Sequence, residues 1–190
     1  MNIEIEVKLK VESLEDVRCK LVELGAEFMA EQLQKDFYFD DKDRTLTKTD
    51  QCLRLRRERI DKHVVSLSNP KEKFILTYKG AKEKDQFKKR QEINIEIEES
   101  DSMEKMLAAL GYNRVFIIEK KRSMWRYRDC LVALDELPSL GEFVEIEGPN
   151  DAEIGEAQKK LGLTNLQHIP ESYASLIEQK LSTNKDRNEA

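Results

Sequence analysis

The sequence predicts an α+β fold in which about eight antiparallel strands form one sheet and about four helices cover its apolar side. Three observations predict it. Segment after segment alternates apolar and charged residues with period two, the mark of a half-buried strand. Four other stretches carry an apolar stripe at helical spacing. Charged residues make up 37% and hydrophobic residues 39% of the 190, a composition too apolar and too patterned for a disordered chain.

Residues 3–11 alternate strictly, with Ile3, Ile5, Val7, Leu9 and Val11 on one face and Glu4, Glu6, Lys8 and Lys10 on the other. From Ser13 the spacing becomes helical, through Leu14, Val17, Leu21 and Leu24, with Ser13 and Asp16 placed to cap the start and Gly25 the end. Strands are predicted over 35–40 and 52–59, joined by a turn on "DDKD", and the second sets Arg54 and Arg56 between Leu53 and Leu55. Residues 61–73 read as a polar loop, 74–80 as a strand ending near Lys79, and 90–98 as a strand with Arg90, Glu92, Asn94, Glu96 and Glu98 on one face. A helix over 100–112 precedes strands over 114–128, 130–137 and 142–148. Two more helices, 151–163 with Asn150 or Asp151 as cap and 170–181 opening at a proline, complete the elements. The order of a charged strand, a helix ending in Leu-Gly and a meander occurs twice. The chain therefore reads as one domain over 1–181, built from related halves of about 1–90 and 91–181, with a flexible tail over 182–190.

The net charge of −5 offers no global basic field for nucleic acid. No basic-then-apolar leader and no run of roughly 18 apolar residues is visible, so a cytoplasmic protein without membrane partners is expected. Cys19, Cys52 and Cys130 lack C-x-x-C spacing and read as free thiols, and His63 and His168 read as surface or turn residues.

An amphipathic strand ordinarily turns its polar face to water. Here the polar positions are rich in Arg, Lys and Glu, and their sign changes from strand to strand: Arg54 and Arg56, Lys79, and Lys120 and Arg122 are basic, Glu96 and Glu98, and Glu145 and Glu147, are acidic. If the helices cover the apolar face and the sheet closes, as about eight strands suffice to do, the charged faces line a lumen. A dry lumen of mixed charge would be prohibitive. A polyphosphate with a divalent cation would match both sets, phosphate oxygens to Arg and Lys and the metal to carboxylates.

The string "EIEVK" at 4–8 resembles the E-x-E-x-K signature of the CYTH superfamily, which is named for class IV adenylyl cyclases and thiamine triphosphatases, the triphosphate tunnel enzymes. "LRLRRE", "LTYKG", "EKKRSMWRY", "ALDELPSLGEFVEIEG" and "ESYASLIEQKL" follow in the order of the class IV cyclase branch, and the likeness spans about residues 2–181. The resemblance implies an eight-stranded antiparallel barrel with a hydrophilic tunnel, flanked by about four helices. It implies phosphate binding by Lys8, Lys10, Arg54, Arg56, Lys79, Arg90, Lys120 and Arg122. It implies Mg²⁺ or Mn²⁺ held by Glu4, Glu6, Glu145 and Glu147, with Glu96 and Glu98 as further metal-binding positions and Asp135 as another acidic tunnel position. Lys8, Lys120, Arg122 and Asp135 are the catalytic candidates, Asp135 as metal ligand, base or orienting partner of Arg122. The implied activity is conversion of ATP to cyclic AMP and pyrophosphate; the alternative is a triphosphatase acting on inorganic triphosphate, thiamine triphosphate or a nucleoside triphosphate. Homodimers occur in the family, and no interface is marked in the sequence. Lys88 and Lys89 read as a surface charge run, Arg57 and Arg59 as outward-facing, Tyr38, Tyr127 and Trp125 as packing residues, and Tyr173 as either a tunnel cap or a helix-packing residue.

Overall fold

The computed structural model describes residues 2–63, 71–83 and 87–188. The strands are β1 (Asn2–Val11), β2 (Glu27–Asp40), β3 (Cys52–His63), β4 (Lys71–Lys79), β5 (Lys88–Ile97), β6 (Asn113–Tyr127), β7 (Cys130–Leu137) and β8 (Gly141–Glu147). The helices are α1 (Leu14–Glu23), α2 (Thr45–Lys48), α3 (Ser100–Ala109), α4 (Asp151–Lys160) and α5 (Tyr173–Asn188). All eight strands pair antiparallel in a closed barrel of order β1-β5-β4-β3-β2-β6-β7-β8. Exchanging β1 with β5, β2 with β6, β3 with β7 and β4 with β8 leaves that ring unchanged, the two-fold relation that the repeated element order in the sequence anticipates.

Boundaries differ from expectation in four places. β2 starts at Glu27 rather than 35, because its first half carries Gln32 and Gln34 inward and a register shift between Glu31 and Gln32 breaks the visible alternation. Strands β3 and β4 extend to His63 and from Lys71, so both ends of the loop expected over 61–73 are strand; 64–70 lie outside the described residues. The turn on "DDKD" is followed by the short helix α2, whose start is organised by Asp40: its carboxylate accepts from the backbone N–H of Asp41, Leu46 and Thr47 and from the Thr47 hydroxyl. Helix α5 begins at Tyr173 behind a Ser172 hydroxyl cap, not at the proline, and continues to Asn188 through most of the span expected as a tail; 189–190 lie outside the described residues. The other predicted caps form: Ser13 Oγ accepts from Asp16 N–H and Asn150 Oδ1 from Glu153 N–H.

The outer faces of β1, β7 and β8 carry Val7, Leu9, Val132, Leu134, Val144 and Ile146, all buried beneath α1 and α4 through Val17, Leu21, Ile154 and Ala157. Helix α3 sets Leu107 against Phe39 and Leu55 on the outer face of β2 and β3. Helix α5 behaves differently. Ile118, Leu137 and Phe143 share the parity of the lumen-facing positions, and they pack with Tyr173 of α5 into a separate apolar cluster. The last helix thus covers one end of the barrel instead of its wall. No helix among the described residues is long and apolar enough to cross a membrane.

Gly148 follows β8 at the contact between barrel and α4. A Cβ there would lie 2.9 Å from both Cys130 Sγ and Ile154 Cγ1, which are fully buried. Gly148→Ala is expected to cost about 1–3 kcal/mol by overpacking, read as a lower urea midpoint with unchanged slope.

Candidate active site

Period-two alternation sends one residue in two of each strand into the lumen, and antiparallel register decides which lumen residues face each other. Six directly opposed pairs of opposite charge meet in the tunnel: Glu4–Arg90 and Glu6–Lys88 between β1 and β5, Lys8–Glu145 between β1 and β8, Asp36–Arg56 between β2 and β3, Lys79–Glu92 between β4 and β5, and Arg122–Asp135 between β6 and β7. Each closes as an ion pair. Arg56 donates twice to Asp36, at 2.6 and 2.8 Å. Lys79 Nζ meets Glu4 at 2.7 Å and Glu92 at 2.5 Å, Arg90 Nε lies 3.4 Å from Glu4, and Lys88 binds Glu6. Lys8 Nζ lies 3.4 Å from Glu145 and donates to the Glu171 carbonyl at 2.9 Å.

Asp135 is the most enclosed member, fully buried. It accepts from Arg122, from Lys120 Nζ at 3.0 Å and from the Tyr173 hydroxyl at 2.8 Å, and Arg122 also reaches Glu145. Asp135 therefore orients Arg122 and Lys120. The Tyr173 ring lies under the Lys8 ammonium, 4.0 Å from it, with Lys120 at 4.9 Å, so α5 reaches the tunnel as well as packing on the barrel end.

Burial sets the titration of this network. Burial, with Arg122 beside it, pulls Lys120 down to about 8 against the attraction of Asp135 and Glu145. Burial likewise lowers Lys8, partly offset by Glu145. For Glu92 burial acts upward, but Lys79 and hydrogen bonds outweigh it and leave about 2. Glu145 and Asp135 are also held low, their burial overcome by Arg122 with Lys8 and Lys120. Glu147 goes the other way, to about 7: its carboxyl group is partly desolvated at the tunnel mouth although the residue as a whole is exposed, and the carboxylates of Glu4, Glu6 and Glu92 add to the rise. Its register partner on β1 is Glu6, a like charge, and the Glu147 side chain makes no hydrogen bond or ion pair among the described residues.

Of the sequence-predicted residues, Glu4, Glu6, Lys8, Arg54, Arg56, Lys79, Arg90, Lys120, Arg122, Glu145 and Glu147 line the tunnel, and Asp135 stands behind Arg122 and Lys120. Lys10, Glu96 and Glu98 are not brought in. Lys10 is exposed at the covered end, opposite Phe143, with its ammonium 5.8 Å from that ring. Glu96 and Glu98 are exposed because pairing of β5 with β1 ends at Glu92; beyond it the inward parity reaches only the rim, where Glu96 meets Lys73 at 3.7 Å. Three members of the register-matched ion pairs escaped the sequence reading of the site. Lys88, read as surface charge, has the parity of Arg90 and could have been found from it. Glu92 lay on the recognised polar face without a role, and Asp36 opens "DFYFD", where the run Phe37-Tyr38-Phe39 puts aromatic residues on both faces of the strand and hides the alternation. Trp125 and Tyr127 are core residues as expected; Tyr38 packs edge-on to Phe116 and also lines the tunnel.

The tunnel encloses about 260 Å³, room for several waters or a compact anion. Among the described residues no three carboxylate, imidazole or thiolate groups converge as a ready-made metal cage. Among the described residues four buried side-chain atoms lack a hydrogen-bond partner; Glu92 Oε2 and Asp151 Oδ1 are ion-paired with Lys79 and Lys89, which leaves Arg54 Nε, a donor in the tunnel wall, and Gln34 Oε1, an acceptor between Lys120 and Glu58 in register.

A closed barrel with a lumen lattice of cations and carboxylates defines a class of charged-tunnel proteins. The chain belongs to the CYTH family, whose domain model matches residues 2–173. It is 33% identical over 159 residues to a Methanocaldococcus jannaschii protein provisionally named adenylate cyclase, covering 84% of this chain and 83% of that one. It is 27% identical to adenylate cyclase CyaB of Aeromonas hydrophila over 196 residues, 98% of this chain and 94% of the relative. A solved Pyrococcus horikoshii structure superposes with a TM-score of 0.76 at 31% identity, covering 93% and 99% of the two chains. A Hippeastrum protein described as revealing a dominant triphosphatase activity shares the fold, with a TM-score of 0.65 at 16% identity over 95% and 96% of the chains.

Glu147 fixes the sign of one pH effect. Its folded value lies above the unfolded 4.5, so the penalty of ionising it is absent below about 4.5 and complete above about 7. Glu147→Gln is expected to raise the melting temperature at pH 8 and to leave it nearly unchanged at pH 4.5; because the residue is exposed at the tunnel mouth, screening by water and salt keeps the gain small.

Proposed function

We propose that this protein is a metal-dependent enzyme that holds a triphosphate in its tunnel and converts ATP to cyclic AMP and pyrophosphate. One observation carries the reading: Lys8, Arg54, Arg56, Lys79, Lys88, Arg90, Lys120 and Arg122, from five strands, converge on one lumen, and Arg54 presents an unpaired buried Nε–H there. Such a donor set matches the oxygens of a phosphate chain. The cyclase names of the Aeromonas and Methanocaldococcus relatives support the choice of reaction.

Glu147, with Glu6 opposite it and Glu4 close by, is where negative charge exceeds positive charge. Mg²⁺ or Mn²⁺ fits a site with one or two carboxylates that is completed by substrate phosphates and water, which suits a tunnel lacking a ready-made cage. Bound there, the ion would supply charge neutralisation on the phosphates and lower the pKa of a coordinated oxygen. The chain's own residues do the rest. Lys8, Lys120 and Arg122 face the phosphates and balance the charge that builds on pyrophosphate as it leaves. Asp135 touches no phosphate; it holds Arg122 and Lys120 in place, and Tyr173 holds Asp135. When the ATP 3′-hydroxyl attacks the α-phosphorus, the new O–P bond closes the cyclic ester and the α,β-bridge breaks.

Incubating the protein with ATP and Mg²⁺ or Mn²⁺ should yield cyclic AMP and pyrophosphate in equal amounts. Orthophosphate without cyclic AMP, from ATP, inorganic triphosphate or thiamine triphosphate, would replace the cyclase with the triphosphatase. Glu6→Gln should reduce turnover to background with an unchanged circular dichroism spectrum.

Because Lys120 is charged only below about 8, triphosphate affinity should fall as pH rises past that value. Lys120→Arg, which stays charged, should flatten that fall in calorimetric titrations between pH 7 and 10.

A further inference from the structure

Of the eight strand-borne cations in the tunnel, seven come within 3.4 Å of a carboxylate. Arg54 is the exception, standing 3.7 Å from Asp36. Asp36 gives both of its oxygens to Arg56, so Arg54 has only a remote share of that charge. A neutral group holds Arg54 instead: its Nη2 donates to Thr77 Oγ1 at 3.2 Å. Thr77 is fully buried and stands between Arg54 and Asn94 in one row across β3, β4 and β5. Neither Thr77 nor Asn94 lines the tunnel.

The direction of the hydrogen bonds in this row is set from its far end. Against its burial, Lys79 and hydrogen bonds hold Glu92 ionised, at about 2. An ionised carboxylate only accepts, so Asn94 turns its Nδ2 to Glu92, at 2.8 Å, and its Oδ1 is left for Thr77. The single hydroxyl proton of Thr77 goes to that Oδ1 at 2.7 Å, and the hydroxyl oxygen keeps its lone pairs for Arg54. The guanidinium is thus pinned through Nη2, while its buried Nε has no partner among the described residues.

We infer that Thr77 and Asn94 are positioning residues that aim the Arg54 Nε–H at a phosphate oxygen of the bound triphosphate. The inference rests on the proposed triphosphate reading of the tunnel and adds to it the means by which one wall is kept ready for the ligand. To reach any of the other seven cations a phosphate must open an ion pair, whereas Arg54 offers a donor that is already free. A threonine serves this end better than a carboxylate would: a neutral acceptor fixes the guanidinium fork without cancelling its charge.

The test is calorimetric binding of a bis-methylene analogue of inorganic triphosphate, whose P–C–P bridges hydrolysis does not break, to the full-length protein with Mg²⁺. Thr77→Val keeps the shape of the buried side chain and removes its hydroxyl. Asn94→Leu, at an exposed position, takes the acceptor from that hydroxyl without touching the core. Thr77→Val should weaken binding about tenfold, the low end for a hydrogen bond to a charged group, and Asn94→Leu about threefold. Thr77→Ser, which keeps the hydroxyl, should bind within about twofold of wild type. Beside Arg54→Ala neither Thr77→Val nor Asn94→Leu should lower the affinity further, because nothing is left to aim. General damage to the barrel would instead lower it in both backgrounds alike. Absence of loss in either single variant, failure of Thr77→Ser to restore binding, or a loss that persists beside Arg54→Ala would overturn the relay and leave the tunnel reading standing. Failure of the analogue to bind wild type would sink the tunnel reading and the relay with it.

Discussion

A charge removed from water needs an opposite charge within reach, and the barrel meets that demand through strand register. Because opposed residues on neighbouring strands sit side by side, a glutamate on β1 finds its arginine on β5 without any loop or helix to place it. Six such pairs line the lumen, and mutual neutralisation makes a wet, ionic interior tolerable where a dry one of single sign would not be. On the proposed function, a phosphate would take a cation from its carboxylate partner, and the freed carboxylate would turn to a metal. Glu6 opposite Glu147 is the place where register brings like charges together, and so the place where the lattice is least settled on its own.

Helix α5 adds a second constraint. By laying Tyr173 across Ile118, Leu137 and Phe143 it seals one end of the lumen, and by sending its hydroxyl to Asp135 and its ring beneath Lys8 it links that seal to the cationic wall. Packing and chemistry meet in one side chain.

Much of this was legible in the residues. Alternation alone gave β1, the core of β3 and the parity of Lys8, Arg54, Arg56, Lys120 and Arg122, since period two is robust wherever one face is uniformly apolar. It failed where both faces mix, as in the first half of β2, whose glutamines hide the pattern. Parity also says nothing of depth. Glu96 and Lys10 carry the same inward phase as Glu92 and Lys8, yet Glu96 lies past the end of its pairing with β1 and Lys10 lies at the covered end opposite Phe143, and only the register of three strands together reveals it. Lys88 was lost for the opposite reason: in a run of charges, the ordinary solvent-facing reading prevails over a one-residue phase argument. The end-covering role of α5 was beyond reach because a helix's apolar stripe does not announce what it lies against.

The ring closes where β1 meets β8, so the first strand of the chain pairs with the last. Such long-range pairing is slow, because the loop entropy is lost before the contacts form. Until β8 arrives, β1 stands as an open edge with glutamates and lysines along one face. Those same charges discourage stray strand-to-strand association, so the residues that line the finished lumen also guard the half-made protein against aggregation.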